Sequence, residues 1–216
     1  MKTILAYGDS LTYGSNPVTG GPRHAYEDRW PSVLEAGLGG AARVIAEGLG
    51  GRTTAYDDWL TNADRNGARI LPTLLASHNP LDAVVLMLGS NDLKPFLGAT
   101  ALEASYGVRR LVQVIHAHAA TDGVAPPRIV IVAPPHFTKA EVHLEMSEHF
   151  GGDEAIRQSK LFATYYKRRA DELGTAFFDA ATVAQPNPAD GVHLDARNTR
   201  AIGEGLVPLV KQVLGL

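Results

Sequence analysis

The chain has 216 residues, 45% of them hydrophobic and 20% charged, with a formal net charge of −3 and no cysteine. That length suits a single α/β domain with a substantial core, so residues 1–216 are expected to form one unit. Mixed, nearly balanced charge gives no electrostatic footprint for nucleic acid or an anionic membrane, and the lack of cysteine excludes disulfides, thiolate metal sites and thiol nucleophiles.

The first apolar run, Lys2–Tyr7, reads as a strand that ends in Gly8-Asp9-Ser10-Leu11. Lys2 is the only early basic residue, and the run is too short for the apolar region of a secretory leader. No stretch approaches the ~18 apolar residues that cross a bilayer. A complete chain of this kind is expected in the cytoplasm, without membrane insertion; an earlier removal of a leader stays open.

A second run, Arg43–Glu47, leads into Gly48-Leu49-Gly50-Gly51-Arg52-Thr53. Residues 50–80 are rich in Asp, Asn, Arg and Gly, with one helical pattern near Ala68–Ser77. The third run, Ala83–Leu88, is followed by Gly89-Ser90-Asn91-Asp92. Thr100-x-x-Glu103 then reads as a capping box, opening a helix whose apolar face includes Leu111, Val112, Val114 and Ile115 and which Asp122-Gly123 closes. A fourth run, Arg128–Ala133, leads into Pro134-Pro135-His136 and a charged stretch up to Gly151-Gly152. Glu154–Leu173 is expected to be one helix, with Phe162, Tyr166, Ala170 and Leu173 on one stripe and Gly174 as its stop. The last run is Ala176–Asp179, and a helix from about Asn198 to Leu214 closes the chain.

Runs that are apolar throughout imply strands buried on both faces, as in a parallel sheet covered by helices. With helical segments between them, the expected fold is a three-layer α/β/α sandwich around a mostly parallel five-stranded sheet. There is no internal repeat or low-complexity tract. Residues 50–80 and 134–153 are long connections, and such connections often line sites.

Ligands of open parallel sheets bind beyond the carboxyl ends of the strands, so the residues that follow each strand matter most. They are Gly8-Asp9-Ser10-Leu11, Gly50-Gly51, Asn91-Asp92 and, beyond the fifth strand, Asp190-Gly191-Val192-His193. Each has an ordinary reading taken alone: a turn serine, a positive-φ glycine loop, a helix cap and a polar loop pair. Together they supply the parts for acyl transfer. A serine hydroxyl needs an imidazole to take its proton, and the imidazole needs a carboxylate to fix its tautomer and stabilise its cation. The tetrahedral intermediate needs donors at its oxyanion, worth roughly 3–4 kcal/mol for each one removed. Ser10 is thus expected to attack, His193 to act as base and then acid, and Asp190 to orient His193. The backbone N–H groups of Ser10 and Gly51 and the side-chain amide of Asn91 are the expected oxyanion donors.

These four clusters, in this order, resemble the sequence blocks of the SGNH (GDSL) hydrolases and span residues 8 to 193. The resemblance implies a flavodoxin-like α/β/α fold with the first strand central, and ester hydrolysis by Ser10, Asp190 and His193 with Gly51 and Asn91. It implies neither cofactor nor metal. Gly8-Asp9-Ser10-Leu11-Thr12-Tyr13-Gly14, Glu47-Gly48-Leu49-Gly50-Gly51-Arg52-Thr53-Thr54 and Leu86-Met87-Leu88-Gly89-Ser90-Asn91-Asp92 look like the bacterial arylesterase/acyltransferase branch. That branch acts on short-chain esters, with acyl transfer to alcohols or peroxide in several members and octamers in some, so a small ester substrate and a homo-oligomer are implied. Carbohydrate acetyl esterase and lysophospholipase or thioesterase activities are the alternatives on the same machinery. Gly50 departs from the Ser-Gly or Asn-rich second block of many members, which removes a side-chain hydrogen bond there but leaves the backbone donor of Gly51.

Asp9 is expected to orient the local turn or, as a lesser candidate, to take the carboxylate role of Asp190; Arg52 is expected to touch substrate or to clamp a loop carboxylate, with the structural reading preferred. His136, His143 and His149 are spaced by seven and six residues, which fits a solvated helix face better than a metal cluster. His116 and His118 cannot face the same way on a helix. Trp59, Phe96, Phe137 and Phe150 are candidates for pocket walls or for ordinary packing. A nucleotide-binding module is disfavoured, since no Gly-x-Gly-x-x-Gly or Gly-x-x-x-x-Gly-Lys-Ser/Thr loop follows a strand.

Overall fold

Burial of three apolar runs on both faces sets the layers of the molecule. The computed structural model describes residues 1–17 and 22–216. Strands β1 (Lys2–Gly8), β2 (Ala42–Gly48), β3 (Ala83–Met87), β4 (Arg128–Ala133) and β5 (Ala176–Asp179) form one all-parallel sheet in the order β2-β1-β3-β4-β5. Ile4, Leu5, Ala6 and Tyr7 of β1 are fully buried, as are Val84 and Val85 of β3 and Val130 and Ile131 of β4. Alternate side chains of each strand point to opposite faces. Leu5, Tyr7, Val84, Leu86 and Ile131 therefore join one core cluster, and Ile4, Ala6, Val85, Met87 and Val130 the other.

The helices are α1 (Ser10–Tyr13), α2 (Trp30–Gly37), α3 (Gly67–His78), α4 (Ala101–Thr121), α5 (Leu144–Phe150), α6 (Asp153–Ser159), α7 (Phe162–Leu173) and α8 (Ala196–Leu214). Leu71 and Leu75 of α3, Leu111 and Ile115 of α4 and Phe162 and Tyr166 of α7 fill the first cluster. Trp30 and Leu34 of α2 and Ile202, Leu206 and Val210 of α8 fill the second. The capping box at Thr100 forms as its sequence predicts, with Thr100 N donating to Glu103 Oε2 at 2.7 Å.

Three expectations need correction. The apolar character of the two edge strands does not mean burial on both faces: β2 is buried at Ala42 and Val44 but half-buried or exposed elsewhere, and β5 is half-buried throughout. The expected helix Glu154–Leu173 is two helices, because the chain breaks at Lys160 and Leu161. There the Ser159 hydroxyl donates to the Ile156 carbonyl at 2.9 Å and accepts from Phe137 N at 2.8 Å, which ties the last turn of α6 to the segment after β4. Finally, β3 and not β1 is the middle strand.

The order has one consequence for function. The chain moves outward from β1 to β2 and then crosses back to β3, so the direction of winding reverses between β1 and β3, where ligands of doubly wound sheets bind. Gly8 is level with Gly48 of β2 and Met87 of β3. The loops that follow these three strands accordingly leave the sheet at one height.

Candidate active site

Ser10 begins α1 directly beyond β1. Asp9 caps that short helix by accepting from Leu11 N at 2.9 Å. Ser10 is nearly buried, and its Oγ lies 3.0 Å from His193 Nε2. The other ring nitrogen, Nδ1, lies 2.6 Å from Asp190 Oδ2. The structure thus brings Ser10, His193 and Asp190 into one hydrogen-bonded line. A carboxylate accepts only, so Nδ1 carries the proton and Nε2 is left to accept from the serine hydroxyl. Burial pushes the Asp190 carboxyl up, but hydrogen bonds from His193 Nδ1 and from the N–H groups of Val192 and His193 outweigh it and hold the group below its ordinary value.

Local packing fixes the loop that carries this pair. Val192 enters one core cluster and Leu194 the other, so the residues flanking His193 are anchored in both. Asn187 N donates to His193 O at 2.8 Å, and the ring Nε2 of buried His24 donates to Leu194 O at 2.8 Å. The segment after β4 lies along the loop, with Thr138 N on Gly191 O at 2.9 Å and His143 N on Ala189 O at 2.8 Å. These supports join residues far apart in the chain, and no spacing pattern announces them.

The expected oxyanion donors lie on the neighbouring loops. Among the described residues, neither Ser10 N nor Gly51 N donates to another group. A Cβ built on Gly50 would come within 4.0 Å of Ser10 Cβ, which places this loop beside the serine. Gly51 has φ +81°, a conformation that favours glycine, and a Cβ there would meet the Arg65 guanidinium. Asn91 is buried, and its Nδ2 makes two long contacts, 3.3 Å to Asp9 Oδ2 and 3.2 Å to Arg52 O. A ligand oxygen there has only weak bonds to displace. Tyr166 braces this block from α7, donating to Leu88 O at 2.8 Å, and a Cβ on Gly89 would strike its Oη.

Arg52 clamps backbone and not a carboxylate. Its Nη1 donates to Gly8 O at 2.8 Å and to Glu47 O, and its guanidinium stacks 4.3 Å from the centre of the Tyr7 ring. It thereby ties the ends of β1 and β2 together. Asp9 does not take the place of Asp190 as the hydrogen-bond partner of His193: its carboxylate accepts from Leu11 N and Asn91 Nδ2. Burial pushes the Asp9 carboxyl up to about 6 and that of Asp92 up to about 7. Asp92 takes Thr54 N at 2.8 Å and also bonds the Thr54 hydroxyl.

The remaining candidates separate. His136 lies in the extended segment after β4, His143 precedes α5 and His149 stands on α5, so the three do not share a helix face. Phe137 and Phe150 pack edge to face at 4.9 Å within the core. Phe96 is half-exposed, and Trp59 is 79% exposed. No helix among the described residues is long and apolar enough to cross a membrane.

Residues 6–199 match the model of the GDSL-like lipase/acylhydrolase family. Among solved structures, a carbohydrate acetylesterase family member from Sinorhizobium meliloti is 53% identical, with each chain fully covered and a TM-score of 0.95. A second carbohydrate acetylesterase from the same organism is 36% identical over 98% of this chain and 99% of its own, with a TM-score of 0.89. The native aryl esterase of M. smegmatis is also 36% identical, over 99% of this chain and 100% of its own, with a TM-score of 0.92. A search of the curated proteins returns no match.

Proposed function

The chain belongs to the GDSL-like lipase/acylhydrolase family, and from that premise we propose that this carboxylic ester hydrolase cleaves short-chain esters through an acyl-enzyme on Ser10. The observation that carries this reading is the hydrogen-bonded line Ser10–His193–Asp190, at 3.0 and 2.6 Å. Ser10 Oγ bonds to the ester carbon as its proton passes to His193 Nε2, and the carbonyl π electrons move onto oxygen. The N–H groups of Ser10 and Gly51 and the Asn91 amide receive that oxyanion. Collapse of the intermediate breaks the bond to the leaving alkoxide, which takes the proton from His193. Water, deprotonated by His193 in its turn, then releases the acid from Ser10. Asp190 keeps the ring in the accepting tautomer and stabilises the imidazolium.

An acetyl-sized acyl group is part of the same reading, supported by the acetylesterase names of two relatives; an acetylated carbohydrate is one leaving-group class that fits them. A homo-oligomer belongs to it as well. Trp59 and Leu60 are 79% and 73% exposed side by side, and exposed apolar surface of this kind favours association. Light scattering is expected to return a multi-subunit mass, and a monomer would count against that part.

Treatment with an organophosphate is expected to add one covalent mass to the Ser10 peptide and abolish hydrolysis of phenyl acetate, as Ser10→Ala should. Labelling at another serine, or none, would overturn the assignment. A rate that rises steadily from acetyl to decanoyl esters, by the roughly 0.8 kcal/mol per buried CH₂ of an open apolar groove, would overturn the short-chain reading.

A further inference from the structure

Arg65 stands where no pattern in the sequence drew attention. Its carbonyl accepts from Thr53 N at 2.9 Å and from Thr53 Oγ1 at 3.1 Å, which pins residue 65 against Thr53, two positions after Gly51 in the chain. From there the side chain turns back over the glycine. Nη1 lies 1.8 Å, and Cζ 2.9 Å, from the position that a Cβ on Gly51 would occupy, so the guanidinium packs against the Gly51 Cα.

The nearby carboxylates have closer partners of their own, although Asp58 also interacts electrostatically with Arg65. Asp58 holds Lys94 at 2.8 Å, and Asp57 and Asp64 hold Arg69 at 2.5 and 3.0 Å. Arg65 Nε is buried and, among the described residues, has no hydrogen-bond partner. The side chain as a whole is half-buried, but an orphaned buried donor such as Nε calls for a physical reason. What adjoins it is the Gly51 peptide, whose N–H is itself unspent, beside Ser10. In the esterase reading, an anion forms beside this peptide in the tetrahedral intermediate.

We propose that Arg65 is a positioning residue of the oxyanion loop: it holds the Gly51 peptide in its left-handed conformation and supplies positive charge beside the N–H that receives the oxyanion. This rests on the esterase reading above. A fixed cation at this point favours the charged intermediate over the neutral ester, so its effect belongs to the transition state and not to substrate binding.

The test is a comparison of Arg65→Met, Arg65→Gln and Arg65→Lys with the unaltered protein, using phenyl acetate as substrate and phenylboronic acid as probe. The boronic acid bonds Ser10 Oγ through boron, the serine proton passing to His193, and leaves a tetrahedral anion in the place of the intermediate. Arg65→Met and Arg65→Gln are expected to lower kcat at least tenfold, with KM changed by no more than about twofold. They should weaken phenylboronic acid in the same proportion, and Arg65→Lys should restore most of both. Unchanged kcat and boronate affinity in the two neutral variants would overturn the role. Equal losses of kcat and thermal stability in all three variants, with boronate affinity intact, would also overturn it and assign Arg65 to packing. If the unaltered protein itself neither cleaves phenyl acetate nor takes organophosphate label, the esterase reading falls and the Arg65 role with it, an outcome distinct from both.

Discussion

His193 is held at both ring nitrogens, and the two contacts do different work. Asp190 fixes the proton on Nδ1, which leaves Nε2 as an acceptor 3.0 Å from Ser10 Oγ. An asparagine at position 190 would keep the shape but offer an amide donor to Nδ1, forcing the proton to Nε2. That nitrogen would then present a donor to the serine and could not take its proton. Asp190→Asn is therefore expected to lower kcat by about 10⁴, the loss seen when the same exchange is made in a serine protease triad. Stopped assays on phenyl acetate, alongside a melting curve, check that the loss is catalytic. The candidates Ser10, Gly51, Asn91, Asp190 and His193 were all nameable from the chain, because hydroxyl, glycine, amide, carboxylate and imidazole carry their chemistry in their residue types. Arg65 and His24 were not, since their importance lies in what they touch.

Helix α8 begins three residues after His193, and its start is secured by Asp195. That side chain caps the helix by accepting from Asn198 N at 2.8 Å and holds Asn198 Nδ2 at the same distance. Asp195→Ala leaves those donors unmet and should cost about 1 kcal/mol of stability, as lost N-caps generally do. Urea unfolding reads that cost directly. Because Leu194 lies between the cap and the base, kcat should fall as well, by a smaller factor than in Asp190→Asn. Capping signals of this kind are local and legible: Thr100-x-x-Glu103 opened α4 where expected. The break between α6 and α7 was not legible, because the Ser159 hydroxyl that enforces it is bonded to Phe137, 22 residues away. Residues 153–173 are helix-competent throughout, and only a distant partner interrupts them.

On the scale of the sheet, winding reversal between β1 and β3 sets Asp9 and Asp92 deep between the loops that carry Ser10 and Asn91. Both carboxyls are pushed up by burial, Asp92 to about 7 from an ordinary 3.8. Between those values the folded chain binds more protons than the unfolded one, so stability falls as pH rises through the window. The contribution is complete below pH 3.8 and lost by about pH 7. Asp92→Asn can keep both contacts to Thr54 without ever ionising. It is expected to exceed the unaltered protein in stability at pH 8 by at least about 1 kcal/mol, the worth of one pKa unit. The difference should vanish near pH 4. Denaturant unfolding at the two pH values measures it, and a pH-independent difference would argue against the buried charge.

The chain alone determined the layers and the candidate reactive groups. Apolar runs such as Val84–Leu88 cannot sit at a surface, and a serine, a histidine, a carboxylate and a glycine loop after such runs converge wherever the strands are parallel. Strand order is a different kind of property. Nothing local in β1 or β3 says which lies at the middle, or that β2 and β5 are edges with one face half open, because neighbours in a sheet are chosen by packing across the whole core. The same holds for the site's supports. Thr138 against Gly191, His24 against Leu194 and Arg65 against Gly51 are contacts of backbone and side chains that meet only after the helices have closed on the sheet. Ser10 and His193 are 183 positions apart, and their 3.0 Å hydrogen bond depends on every one of those closures.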